Sequence, residues 1–232
     1  MIKQTKSIIL KMKNKIFLYD LSGKKNIRFS PPCWNVKLCL IHNNIDFVTI
    51  PVKFTEKNKI SFSNQNLVPI IKYNEEVVYD SWNIFVWLND NIKEIKLIPN
   101  KQTEVFAHFL YFWTSKSLLP IIFKLIANDI PKILDEEDKK YFIRTREDRI
   151  KKSLKSLLSD KEKSKKQLFQ SLINFEKILA NNKFFNGENP GLPDFIFFGN
   201  FMWAEKCSSE NLFENLPNIN KWYLNIKKIY RL

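Results

Sequence analysis

Two short stretches of this sequence place a hydroxyl or a carboxylate at the start of a predicted helix. Ser30 precedes Pro31, and Trp34, Leu38 and Ile41 follow at helical spacing, so Ser30 reads as an N-cap with proline at the first helical position. A hydroxyl there lies beside the positive end of a helix, where an anion is favoured. Asp80-Ser81 stands in the same way before a run carrying Trp82, Phe85, Val86 and Leu88, and the N–H groups of such a helix start suit a carboxylate. Cys33 lies one turn beyond Ser30, but dithiol chemistry would need a second cysteine at position 30. Cys33, Cys39 and Cys207 are too few and too unevenly spaced for a disulfide framework or a zinc site, and they fit a reducing compartment. His42 and His108 stand alone, so no metal is expected.

The elements that must position these groups are legible from periodicity. Ile16 to Tyr19 is a short apolar run ending at the polar turn Ser22-Gly23-Lys24-Lys25, as a buried strand would. After the helix opened by Ser30, Phe47 to Val52 reads as a strand that Pro51 places at a sheet edge. An irregular stretch, 54–66, leads to two strands, Val68 to Ile71 and Val77 to Tyr79, joined by Tyr73-Asn74-Glu75-Glu76. The order βαβ and then ββα resembles the thioredoxin-like layout, an α/β unit with a mixed four-stranded sheet.

Residues 93–100 contain Pro99, lack a helical pattern and read as a linker; beyond them the chain reads as all helical. Phe106, Phe109, Leu110, Trp113, Leu118 and Ile122 mark one helical run, and Asp135 opens a charged amphipathic run through Tyr141, Ile150 and Leu157. A helix is expected over about residues 166–179, with 159–166 as a solvated break or an exposed helical stretch. Gly191-Leu192-Pro193-Asp194 introduces an apolar helix, and Pro217, Ile219, Trp222 and Ile226 a last one. The expected organisation is a tail at 1–14, with Met12 an alternative start, a thioredoxin-like domain at 15–92, a linker at 93–100 and a helical domain at 101–232.

A net charge of +14 suits an anionic partner, yet the lysines are scattered and no nucleic-acid motif accompanies them. Neither nucleic acid nor a membrane is an expected partner, and the apolar run Ile8-Ile9-Leu10 is too short for a signal-peptide core. A cytoplasmic protein is expected.

From Lys15 to Leu232 the chain resembles the glutathione transferases. Val68-Pro69 followed by Asp80-Ser81 looks like their glutathione site, where a cis-proline and an acidic residue with serine recur, and Gly191 to Asp194 is similar to their helix-capping motif. Phe29-Ser30-Pro31-Pro32-Cys33-Trp34, Phe54-Thr55-Glu56-Lys57, Asp80-Ser81-Trp82, and Tyr141-Phe142 with Arg144-Thr145-Arg146-Glu147 resemble the branch holding bacterial β-aryl etherases and fungal FuA-class enzymes. Asn35 stands where that branch usually has Arg or Lys, Leu67 where a basic residue commonly precedes Val-Pro, and Gly191 where Ser or Thr is usual.

This resemblance implies glutathione as co-substrate, a hydrophobic electrophile as its partner and a homodimer. Ser30 would stabilise the thiolate, with Tyr19 the competing hydroxyl. Val68 and Pro69 would pair with the peptide backbone of glutathione, Ser81 would hold the γ-glutamyl carboxylate and Asp80 its ammonium, with Lys53 and Gln65 toward the glycyl carboxylate. The second substrate would lie against Phe29, Trp113 and Ser117. Conjugation, aryl-ether cleavage and glutathione-dependent reduction all need the same thiolate, and a binding protein without turnover is the alternative from another class.

Overall fold

In the computed structural model, which describes residues 15–232, strand β1 (Ile16–Leu21) buries Ile16, Leu18 and Asp20 and leaves the alternate side chains partly exposed. Helix α1 (Pro31–His42) crosses from β1 to the parallel strand β2 (Phe47–Val52). Strands β3 (Ile70–Tyr73) and β4 (Glu76–Tyr79) add an antiparallel hairpin, giving the sheet order β2-β1-β3-β4. Pro51 therefore sits on an edge strand, where its missing N–H costs no ladder bond. Helix α2 (Ser81–Asn91) packs beside α1. On the other side of the sheet, Val52, Ile60 and Ile70 form a small cluster with Tyr19, Val68 and Val77. The Val68–Pro69 peptide bond is cis. The expected tail and alternative start at Met12 lie outside the described residues.

No helix or strand occupies residues 92–100, yet Ile92, Ile95 and Leu97 are buried. The stretch is a packed connection rather than a loose spacer. Next come α3 (Lys101–Trp113), a π-type turn at Thr114–Leu118 and α4 (Leu119–Ile126). By length and composition alone Lys101–Ile126 could cross a bilayer; here it packs on later helices. Helix α5 (Glu136–Ile150) ends where Lys151 takes a left-handed conformation, φ 55°, and a 3₁₀ segment follows at Leu154–Asp160. The charged helix expected to run through Leu157 is thus shorter, because Glu147 turns back to accept from the Leu154 N–H at 2.8 Å. Helix α6 (Lys161–Asn181) starts earlier than expected, so most of residues 159–166 form its exposed first turns.

Helix α7 (Leu192–Cys207) is buried along nearly its whole length, and α8 (Pro217–Tyr230) closes the chain. Asp194, in the first turn of α7, accepts from the N–H groups of Phe185, Asn186 and Gly191 and from the Trp222 indole, at 2.8–3.1 Å. Burial pushes its pKa up to about 6 while those four donors pull toward the carboxylate. One residue joins loop, helix and closing helix.

Gly199 sets the distance between α7 and α1. A Cβ there would lie 2.5 Å from the Pro31 carbonyl oxygen and 1.9 Å from the Asn35 side-chain amide. Gly199→Ala must therefore push the first turn of α1 away or strain it, and we expect a loss of about 1–3 kcal/mol in urea denaturation. Unchanged stability would show that the two helices can separate without cost.

Candidate functional site

Two adjoining cavities open along the N-terminal turn of α1. Pro31, Pro32, Ser115 and Leu119 line both. The smaller, about 330 Å³, is bounded by Gln65, Val68, Pro69, Asp80 and Ser81, and by Tyr111 from α3. The larger, about 610 Å³, holds Ser30 and Phe29 beside Phe54, Leu119, Phe123 and Trp203. Each wall follows from local sequence. Ser30 lies at the N-cap because Pro31 and Pro32 start the helix, and its side chain makes no capping bond. Its hydroxyl instead hydrogen-bonds Cys33. That contact pulls the thiol pKa down, as a hydroxyl aimed at sulfur does.

Asp80 is held at φ 66°, ψ 130°, a conformation that costs a non-glycine residue about 1–3 kcal/mol. Its own side chain offsets that cost. One oxygen accepts from the Trp82 and Asn83 N–H groups at 2.9 and 3.3 Å, and the other from the Tyr111 hydroxyl at 2.8 Å. Two of the helix N–H groups expected for a ligand carboxylate are therefore taken by Asp80 itself. Ser81 is buried and hydrogen-bonds Tyr111 as well. Burial, and next the Asp80 carboxylate, push the Tyr111 pKa up to about 12, so it is a neutral donor near pH 7.

The loop after β2 is fixed from the far side of the larger cavity. Asp138, buried on α5, accepts from the Phe54 and Thr55 N–H groups at 3.1 and 2.9 Å and from the Thr55 hydroxyl at 2.7 Å. Phe54 is thereby set against Phe29 and Tyr141, with ring centres 5.9 and 6.1 Å away.

Of the residues singled out from sequence, Val68, Pro69, Asp80, Ser81 and Gln65 meet in one cavity, and Ser30 and Phe29 in its neighbour. Four do not join them. Tyr19 packs on Phe62 across the sheet, with ring centres 5.0 Å apart, and lines neither cavity. Lys53 pairs with Asp135 at 2.5 Å. Trp113 packs among Phe175 and Phe197, and Ser117 faces a separate groove with Lys163 and Lys166. The last two are corrected by helical phase: residues 113 and 117 lie about 200° around the helix from 111 and 115, and the 111, 115, 119, 123 stripe faces the cavities. Tyr111 and Ser115 were missed, although their i, i+4 spacing was visible. Asn35, noted as a departure from the usual basic residue, is buried and lines the smaller cavity, its amide reaching the Phe195 and Pro31 carbonyls at 2.8 and 3.0 Å.

A family model described as the glutathione S-transferase C-terminal domain matches residues 105–223. Glutathione transferase omega-1 of Caenorhabditis elegans is 22% identical over 214 residues, covering 85% of this chain and 74% of that protein. The fold superposes on glutathione transferase GSTFuA3 from Phanerochaete chrysosporium with a TM-score of 0.83 at 20% identity, covering 94% and 98% of the two chains. It superposes on CsGST63524 of Ceriporiopsis subvermispora, a glutathione S-transferase solved in complex with glutathione, with a TM-score of 0.81 at 17% identity over 93% and 96%. The family match spans just over half of the sequence, and this chain belongs to the glutathione transferase family.

All three cysteines are buried. Burial, and then the Asp20 carboxylate, push the Cys33 thiol well above its usual range; burial does the same for Cys39 and Cys207. With a chromogenic disulfide reagent at pH 8, the folded protein should release well under one equivalent over minutes, and all three thiols should react in denaturant. Prompt labelling of Cys33 in the folded protein would restore a glutaredoxin-like redox role for that thiol.

Proposed function

We propose that this chain activates glutathione as a thiolate at Ser30 and directs it at a hydrophobic electrophile in the larger cavity. The observation that carries this is the place of Ser30: at a helix start, uncommitted to capping, and beside the walls the two cavities share. Glutathione would occupy the smaller cavity, with Val68 and Pro69 along its peptide part, Ser81 at its γ-glutamyl carboxylate, Asp80 at its ammonium and Gln65 toward its glycyl end. Lys53 takes no part. Family membership supports the co-substrate, and the placing of Asp80 and Ser81 in the smaller cavity and of Phe29, Phe54, Phe123 and Trp203 in the larger one supports the division of roles.

Lowering a thiol pKa from about 8.5 to about 6.5 takes about 2.7 kcal/mol. A helix terminus supplies about 0.3–2 kcal/mol and a hydrogen bond to a charged group about 1.5–3 kcal/mol. The two together suffice. The thiolate sulfur then forms a bond to an electrophilic carbon, and the leaving group departs with the bonding electrons. In an aryl ether the C–O bond breaks and the aryloxide takes a proton from water. Such a substrate fits the β-etherase likeness of Phe29-Ser30-Pro31-Pro32 and needs no further residue. We place the enzyme in the cytoplasm as a homodimer, in keeping with its family and its free thiols. The raised pKa and burial of Cys33 weigh against a glutaredoxin-like reductase that uses its own cysteine.

Ser30→Ala should raise the pKa of bound glutathione by about one unit, worth about 1.4 kcal/mol, as read from thiolate absorbance against pH, and change glutathione affinity much less. Tyr19→Phe should leave the curve in place; a shift in Tyr19→Phe and none in Ser30→Ala would move the role to the strand. Ser81→Ala should weaken glutathione by about 1.5–3 kcal/mol in calorimetry, and equal affinity would remove Ser81 from the site.

A further inference from the structure

The larger cavity carries a charge pattern that thiolate activation does not use. Its floor is apolar, formed by Phe29, Leu119, Phe123, Ile130 and Trp203, while Lys124, Arg146, Arg149 and Lys152 line its rim against a single carboxylate, Asp160. Among the described residues, none of these five makes an ion pair within 4 Å. A lysine-rich surface is unremarkable in a chain of net charge +14, but arginine is scarce in it. Five of the 38 basic residues are arginines, and Arg144, Arg146 and Arg149 fall within six positions of α5.

Arg146 and Arg149 belong to the stripe Phe142, Arg146, Arg149, Ile150, whose i, i+4, i+7, i+8 spacing turns one helix face to the cavity. The Arg146 guanidinium is half-buried, with its carbon 5.0 Å from the centres of both the Phe54 and Phe142 rings. That of Arg149 lies 5.8 Å from the centre of Phe123. A guanidinium has five N–H donors, and the bond from Arg146 to the Thr145 hydroxyl, at 2.9 Å, uses one. Burial, and then Arg149, lower the Arg146 pKa, although an arginine stays charged at neutral pH. Two like charges are thus held over aromatic faces beside an apolar floor, with donors to spare and no carboxylate between them.

We propose that the second substrate is an apolar organic acid, with its hydrocarbon body on the floor of the larger cavity and its carboxylate, sulfonate or phosphate held by Arg146 and Arg149. Calling this ligand a substrate rests on the transferase reading above; the anion site itself rests on the cavity. The forked donors suit a planar or tetrahedral oxyanion, and the aromatic rings under them keep the side chains extended over the opening.

The test is a fluorescence titration of the full chain with 8-anilinonaphthalene-1-sulfonate and with its uncharged relative N-phenyl-1-naphthylamine. The sulfonate should bind at least about tenfold tighter than the neutral probe. R146Q/R149Q should lose about tenfold or more for the sulfonate and less than about threefold for the neutral probe. R149Q alone changes an exposed side chain and should lose about threefold or more for the sulfonate, so the test survives if the double variant fails to fold. K163Q/K166Q, in the separate groove, should alter neither probe. Equal affinity of the two probes for the parent, or equal loss of both in R149Q, would overturn the site. Glutathione calorimetry separates the two readings. Unchanged glutathione affinity in R149Q supports the assignment, whereas competition between glutathione and the sulfonate would show that the arginines hold glutathione and would overturn it. A parent that binds the sulfonate but not glutathione would keep the anion site and sink the transferase reading.

Discussion

The close approach of α1 to α7 at Gly199 is the constraint on which the rest of the site depends. The absent Cβ lets the Pro31 carbonyl and the Asn35 amide lie against α7, and this fixes the turn that carries Ser30. From beneath, the same helix is tied to the sheet by a buried ion pair. Lys37 on α1 meets the buried Asp20 carboxylate of β1 at 2.6 Å, with Arg28 at 3.3 Å on the same oxygen. Removing one partner of such a pair costs about 3–5 kcal/mol, because a buried charge is left without compensation. Held on two sides, Ser30 keeps its position with its hydroxyl free of capping work.

The helical half of the chain completes the site rather than merely covering it. Tyr111 supplies the donor that occupies Asp80, Ser115 and Leu119 form walls common to both cavities, and Asp138 fixes the loop that presents Phe54. Together with the start of α2, the helical half also holds the strained backbone at Asp80. A residue at φ 66° persists because three donors converge on its side chain. The sheet and the helices therefore share the polar bonds of the smaller cavity, and neither half contains it alone.

Much of this was legible in the sequence, because the strands and helix starts carry local signals. Ser30-Pro31, Val68-Pro69 and Asp80-Ser81 each announce a turn or a cap, and their order fixes which elements meet. Trp113 and Ser117 show where such reading stops. Periodicity identifies a stripe, but α3 and α4 carry two stripes of large or polar residues, and packing decides which one faces the cavity. Lys53 was misplaced for a related reason: a long flexible side chain goes to the nearest carboxylate, here Asp135, and sequence spacing does not reveal that neighbour. Tyr111 could have been found, since its hydroxyl lies one helical turn before Ser115 on the stripe that continues through Leu119 and Phe123. The basic rim could not have been found from charge alone. Its meaning comes from an apolar floor assembled from four separate segments.

A crystal structure of the protein with reduced glutathione measures directly where the sulfur lies. The sulfur should lie within about 3.5 Å of Ser30 Oγ, at the junction of the two cavities, with the γ-glutamyl end at Ser81 and the larger cavity left open beside Phe29. A sulfur directed to the Tyr19 hydroxyl, or a glutathione lying in the larger cavity with its carboxylates on Arg146 and Arg149, would contradict this placement.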